Sequence, residues 1–325
     1  MPQIMSEIKP PLSTAQVESL QKEMEMLKME NAELVNTNQH LITATFRERD
    51  FKTKLQEAHD ELNDSKRVVE KQNQMINDSI NYAHRIQTAI VPSLKQLQQC
   101  LPNSGIFFEP KHVLSGDFPW IYEKVDDLYV AAVDCTGHGV PGAMLSLIGN
   151  FKLQELVQMG KLEPSDLLNL LHSEVQKTLN PQGDENVMDG MDVAMCRINY
   201  TKMEFSFAGA HRPVLILDGD ELTEIKGARR AIGGTPRGKK PSAPFQNHKM
   251  PLKKGMRVFI YSDGLPDQLN EEDTKKFSNK QIKNIILENK DKDVPAIINE
   301  MEKALQSWKG EASQLDDILF IGFEV

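Results

Sequence analysis

A chain of 325 residues with 39% hydrophobic content is long enough for one or two domains and buries a core without covalent staples. Its net charge of -9 argues against nucleic acid as the main partner, and no apolar run approaches the ~20 residues that span a bilayer. Cys100, Cys135 and Cys196 are too scattered for a disulfide framework or a structural zinc site, and the start MPQIMSEIKPP has no signal-peptide pattern. A reduced, cytoplasmic setting is expected.

Residues 1–11 are expected to be a disordered N-terminus. From Leu12 to Val91 the chain contains neither glycine nor proline, and Glu, Lys, Gln, Leu and Met dominate, which predicts continuous helix. Every seventh position from Leu20 reads Leu27, Leu34, Leu41, Glu48, Leu55, Leu62, Val69, Ile76, Ala83 and Ile90, a heptad column broken only by Glu48. The companion column is polar, with Asn31, Asn38, Lys52, His59, Lys66 and Asn73, so the seam predicts a homodimeric coiled coil of moderate stability. His84 lies on this helix, but nothing downstream resembles an ATP-binding kinase domain, and it reads as a solvated histidine.

After Pro92 the texture changes to alternating strands, turns and helices. Helices are expected from Pro141 to Gly160, Ser165 to Leu179, Lys280 to Glu288 and Val294 to Trp308. Strands are expected at Phe118–Tyr122, Leu128–Val133, Val193–Ile198, Met203–Ala208, Val214–Leu217, Arg257–Ser262 and Ile318–Phe323. Hairpin-like strands with separately grouped helices indicate an α+β layered sandwich, in residues 92–325, preceded by a coil and regulatory linker in residues 12–91.

Carboxylates mark the ends of those strands. Asp134 closes one in DCTGHG, Asp263 closes another in SDG, Asp316-Asp317 precede the last, and Asp117 in SGDF precedes the first. Strands laid side by side in suitable directions gather these groups at one sheet edge. Such a cluster repels itself unless hard cations such as magnesium or manganese neutralise it, which points to metal-assisted chemistry on a phosphate.

The ordered set SGDFPW, AAVDCTGHGVPGAMLS, GMDVAMC, AGAHRPVLIL, AIGG, FIYSDGLPDQ and LDDILFIGF resembles the SpoIIE-like members of the PPM metal-dependent serine/threonine phosphatases. The resemblance covers roughly residues 93–325. It implies a PPM-type α-β-β-α sandwich holding two manganese or magnesium ions, and hydrolysis of phosphoserine or phosphothreonine by water activated at those ions. It implies Asp117, Asp134 (bridging both ions), the backbone carbonyl of Cys135, Asp263 and Asp316 as metal ligands. Asp317 is the alternative one position on, and Asp192 is a candidate for a supporting or third-metal role. His138 resembles the histidine that some relatives use to protonate the leaving group, against a plain loop-bonding role. A phosphorylated STAS-type protein of a bacterial partner-switching pathway is the implied substrate.

The sequence departs from the family pattern in places. Pro119 removes a ladder donor, so its strand is expected at an edge or bulge. His211 stands where asparagine is common, Ala231 where proline is frequent and Leu319 where threonine is. Between Lys226 and Lys240 a glycine-rich loop with Arg229, Arg230 and Arg237 and no acidic residue is a candidate for holding an acidic phosphoprotein. Two other functions stay open at this level: an inactive phosphatase-like scaffold, and a two-metal hydrolase of small phosphates, the latter without any nucleotide-binding glycine motif to support it.

Overall fold

The computed structural model describes residues 13–180, 188–234 and 243–325. The chain divides into a unit ending at Met75 and a unit spanning Ile76–Val325. The helix that the breaker-free stretch predicts is α1 (Thr14–Ile90), 77 residues long. Its heptad residues Leu20, Leu27, Leu34, Leu41, Leu55, Leu62 and Val69 are each half or more exposed. Among the described residues no helix is long and apolar enough to cross a membrane.

Pro92 stops α1, and Ser93 starts α2 (Leu94–Cys100), with its N–H donated to the Gln96 side chain at 2.8 Å. One antiparallel sheet then carries β2 (Phe118–Lys124), β3 (Asp127–Cys135), β4 (Gly190–Asn199), β5 (Glu204–Ala210) and β9 (His248–Pro251) in that order, with β8 (Ile232–Gly233) paired to β4. The other carries β1 (Ser104–Glu109), β11 (Ile318–Glu324), β10 (Arg257–Tyr261), β6 (Val214–Asp218) and β7 (Glu221–Ile225) in that order. Pro119 does lie on an edge strand, where its missing N–H costs no ladder bond.

Two antiparallel-sheet faces and two helix pairs make the layers. The helices α3 (Gly139–Gln158) and α4 (Pro164–Leu179) cover one sheet; after the short α5 (Gly264–Asp267), α6 (Ser278–Glu288) and α7 (Val294–Lys309) cover the other. The strand β3 shows how period-2 alternation builds this: Tyr129, Ala131 and Val133 pack toward α3 and α4, while Leu128, Val130 and Ala132 pack into the space between the sheets. That middle layer also takes Leu97 and Leu101 from the α2 region, with Phe205, Phe207, Ile260, Ile321 and Phe323. The result is the expected α-β-β-α sandwich.

A buried ionic link ties the first sheet to α4. Arg197 of β4, 3% exposed, donates to Asp127 of β3 at 2.8 Å and to Glu163, the residue before α4, at 2.8 Å. Most predicted elements match within a few residues. The strand expected from Met203 instead begins at Glu204, because Met203 turns with φ +50°.

Candidate functional site

The antiparallel order brings the marked strand ends to one rim. β3 runs out through Asp134 as β4 begins, and Asp134 stands opposite Asp192 in register. Phe118 pairs with Val133, so Asp117 sits next along the rim at the start of β2. In the other sheet β10 ends at Tyr261 where its antiparallel neighbour β11 begins, placing Asp263 beside Asp316-Asp317. The Asp263 N–H donates to Asp134 Oδ2 at 3.3 Å and so joins the two rims.

Local backbone demands explain the glycines here. Gly137 and Gly139 have φ of +85° and +68°, the left-handed region that lets DCTGHG double back into α3. A Cβ on Gly264 would lie 2.0 Å from the Asp317 carbonyl oxygen, so the glycine of SDG is required for the two acidic segments to touch.

The electrostatics are those of crowded carboxylates. Asp117 is 4% exposed, and its Oδ2 has no hydrogen-bond partner among the described residues. Burial, then the charge of Asp134, pushes its pKa well above the carboxylate range, against the pull of the Ser262 hydroxyl. Asp134 is pushed up to about 8, first by burial and then by Asp263, against the pull of Arg212. Partial burial of its carboxyl raises Asp316, against the pull of the Asp317 N–H, and the nearby charge of Asp263 adds to the rise. Hard oxygen donors, one of them orphaned in the interior, suit magnesium or manganese in type. Their spacing is a separate matter: among the described residues no three His, Cys, Asp or Glu side chains form a ready-made metal cage. Arg212 lies among them. Its Nη2 donates to Asp192 Oδ2 at 2.6 Å and to Asp263 Oδ2 at 3.0 Å, and its Nε is 3.9 Å from Asp134 Oδ2.

The sequence-predicted residues separate on contact. Asp317 is buried and committed: its Oδ1 accepts from the Lys111 N–H and its Oδ2 from the Gly116 N–H, both at 2.7 Å. Asp316 is exposed, with its Oδ1 accepting only the Asp317 N–H at 2.8 Å. Asp192 is likewise committed, to Arg212 and, through Oδ1, to His211 Nδ1 at 2.8 Å. The Cys135 side chain is buried toward α3, and burial raises its thiol far above the usual range, leaving only its backbone at the rim. His138 is exposed at the start of α3, its ring 4.7 Å from that of His112.

The basic loop has two characters. Lys226, Arg229 and Arg230 line a cleft of about 530 Å³ with His248. Arg229 is exposed, whereas Arg230 stacks 4.3 Å over Phe245 and donates to the Ala243 carbonyl at 2.6 Å. Arg237 lies outside the described residues.

Comparison with known proteins decides the family. The family described as Stage II sporulation protein E (SpoIIE) matches residues 124–325, more than half of the chain. The chain belongs to the SpoIIE family. Phosphoserine phosphatase RsbU of Bacillus subtilis (strain 168) is 24% identical over 201 residues, covering 60% of this chain and 55% of that protein, so the match spans about half the curated relative. Among solved structures, the SiaA-PP2C domain of Pseudomonas aeruginosa superposes with a TM-score of 0.69 at 29% identity, covering 78% of this chain and 98% of that one. The PP2C phosphatase domain of SpoIIE from Bacillus subtilis, with a fragment of its regulatory domain, gives 0.56 at 16% identity over 68% and 62%, which shows the shared fold. The SpoIIE match begins at Lys124, so Asp117 lies ahead of it and rests on the rim geometry.

Three residues of this SpoIIE-family site escaped the sequence reading. Arg212 was hidden in AGAHRP, although an arginine just past a strand end near acidic motifs is a visible signal. His112 carried no signal. Gln87, buried in the last turns of α1, donates from Nε2 to the Ser115 carbonyl at 2.6 Å and to Ser146 Oγ at 2.9 Å. It thereby clasps the segment that carries Asp117.

Proposed function

We propose that this chain is a cytoplasmic, metal-dependent phosphoprotein phosphatase acting on phosphoserine or phosphothreonine. The observation that carries the reading is the convergence of Asp117, Asp134, Asp263 and Asp316 on one rim, with a buried, unpartnered oxygen on Asp117. In this proposal those carboxylates and the Cys135 carbonyl would hold two manganese or magnesium ions. Such ions, when bound, activate water and neutralise phosphoryl oxygens. Asp317 fixes the loop ahead of Asp117 instead of serving as a ligand. His138, exposed beside the rim, donates a proton to the departing seryl oxygen, a task imidazole performs as a general acid. Arg229 attracts an acidic phosphoprotein toward the rim; Arg237 belongs to the same proposed loop.

The substrate proposed is a STAS-type protein of a bacterial partner-switching pathway, supported by the resemblance to SpoIIE-like phosphatases. Control through the coil is supported by Gln87, which ties the end of α1 to the segment leading into Asp117. The test is phosphate release from a phosphoserine protein with manganese, with magnesium and with chelator. Turnover should require the ion and fall at least ~100-fold in Asp263→Asn, the scale of losing one group that acts on the reacting centre. Turnover that survives the chelator would remove the proposal. An inactive scaffold draws support from the Arg212 pairings; it predicts a folded chain that takes up no manganese.

A further inference from the structure

Arg212 is held by a purpose-shaped piece of backbone. The residue before it, His211, has φ +57°, a left-handed conformation that is uncommon outside glycine and that histidine enters more readily than most side chains. That turn sends two consecutive side chains to one carboxylate, His211 to Asp192 Oδ1 and Arg212 to Asp192 Oδ2. With Asp192 saturated, the remaining reach of Arg212 falls on Asp263 and Asp134. A guanidinium stays charged at any accessible pH, so it cannot leave those carboxylates by losing a proton; it must move or be out-competed. Its side chain is 15% exposed, so the guanidinium is mostly enclosed among the carboxylates it bonds.

We infer that Arg212, anchored on Asp192, is an internal cation that competes with the divalent ion for Asp134 and Asp263 and thereby sets the ion concentration at which the centre assembles. Asp192 is then the anchor of the competitor and not a metal ligand. The inference rests on the metal-dependent reading above, but it adds a threshold that the carboxylates alone do not supply. Removing the guanidinium leaves Asp134 and Asp263 to repel each other until an ion arrives. Affinity for the ion and stability without it should therefore move in opposite directions.

The experiment is calorimetric titration of the full chain with manganese, alongside thermal unfolding in chelator and in saturating manganese. Arg212→Met should bind manganese about tenfold more tightly than the wild type, ~1.4 kcal/mol. It should melt below the wild type in chelator, and the gap should narrow when manganese saturates. If the methionine variant does not fold, Arg212→Gln, which keeps donors for Asp192, should show the same tightening. A folded variant that binds manganese equally or more weakly, beside a wild type that binds, overturns the inference and leaves the phosphatase reading standing. A wild type with no affinity for manganese overturns both.

Discussion

Asp316 and Asp317 are adjacent in sequence and opposite in duty. Both oxygens of Asp317 are spent on backbone donors of the segment before β2, one of them at the buried Gly116. Asp317→Ala strands those donors and should cost about 2–3 kcal/mol, net of the repulsion it relieves at Asp117. Asp316→Ala strands only the part-buried Asp317 N–H and should cost less, about 1 kcal/mol or under in chelator, while weakening manganese uptake. Urea unfolding of both variants checks this; equal destabilisation would exchange their roles. The sequence narrowed the choice to this pair and could go no further, since alternate residues of an extended segment face opposite ways. Which way depends on β11 pairing with β1 and β10, partners more than fifty residues off. Arg212 was visible as a cation past a strand end, but its partner was not, since Asp192 lies twenty residues earlier on β4.

Elements meet through a histidine as well as through apolar contact. His172 of α4 accepts the Gly233 N–H at 3.1 Å, fastening the short β8 under the helix. Burial, then the charge of Arg230, lowers its pKa from 6.5 to about 4. The unfolded chain therefore binds more protons than the folded one between those values. Stability from this group is full above about pH 6.5 and is lost as pH falls through 4. Other groups titrate in this window, so the difference between proteins is what counts. His172→Gln should show a smaller drop in melting temperature from pH 7 to pH 4.5 than the wild type. Parallel drops would show that His172 is not strained by its site. Among the elements that the sequence did not reveal, the strands β1, β7 and β9 share a physical reason: each lies at the edge of its sheet. An edge strand has one neighbour and a partly wet face, so ELTEI in β7 and HKMP in β9 carry no strong apolar alternation. Central strands such as β3 and β10 are covered on both faces and announce themselves as apolar runs.

At the scale of the whole molecule, α1 presents a problem that one chain does not solve. A row of leucines from Leu20 to Leu62 stands exposed along it, and each would lose ~1.5–3 kcal/mol of unfavourable hydration if covered. A second copy supplies a matching row, whereas the polar companion column of Asn31, Asn38 and Asn73 limits the gain and favours two strands in fixed register. We propose a dimer through this seam, in which the leucine row would supply the association and the polar column would keep it adjustable. Sedimentation equilibrium should give a dimer for the full chain and a monomer for the double variant Leu27→Asp with Leu34→Asp. A monomeric wild type would end the dimer proposal. If the coil also controls catalysis through Gln87, the monomeric variant should release phosphate at a rate, or with a manganese requirement, different from the wild type; identical behaviour would leave the coil as a tether.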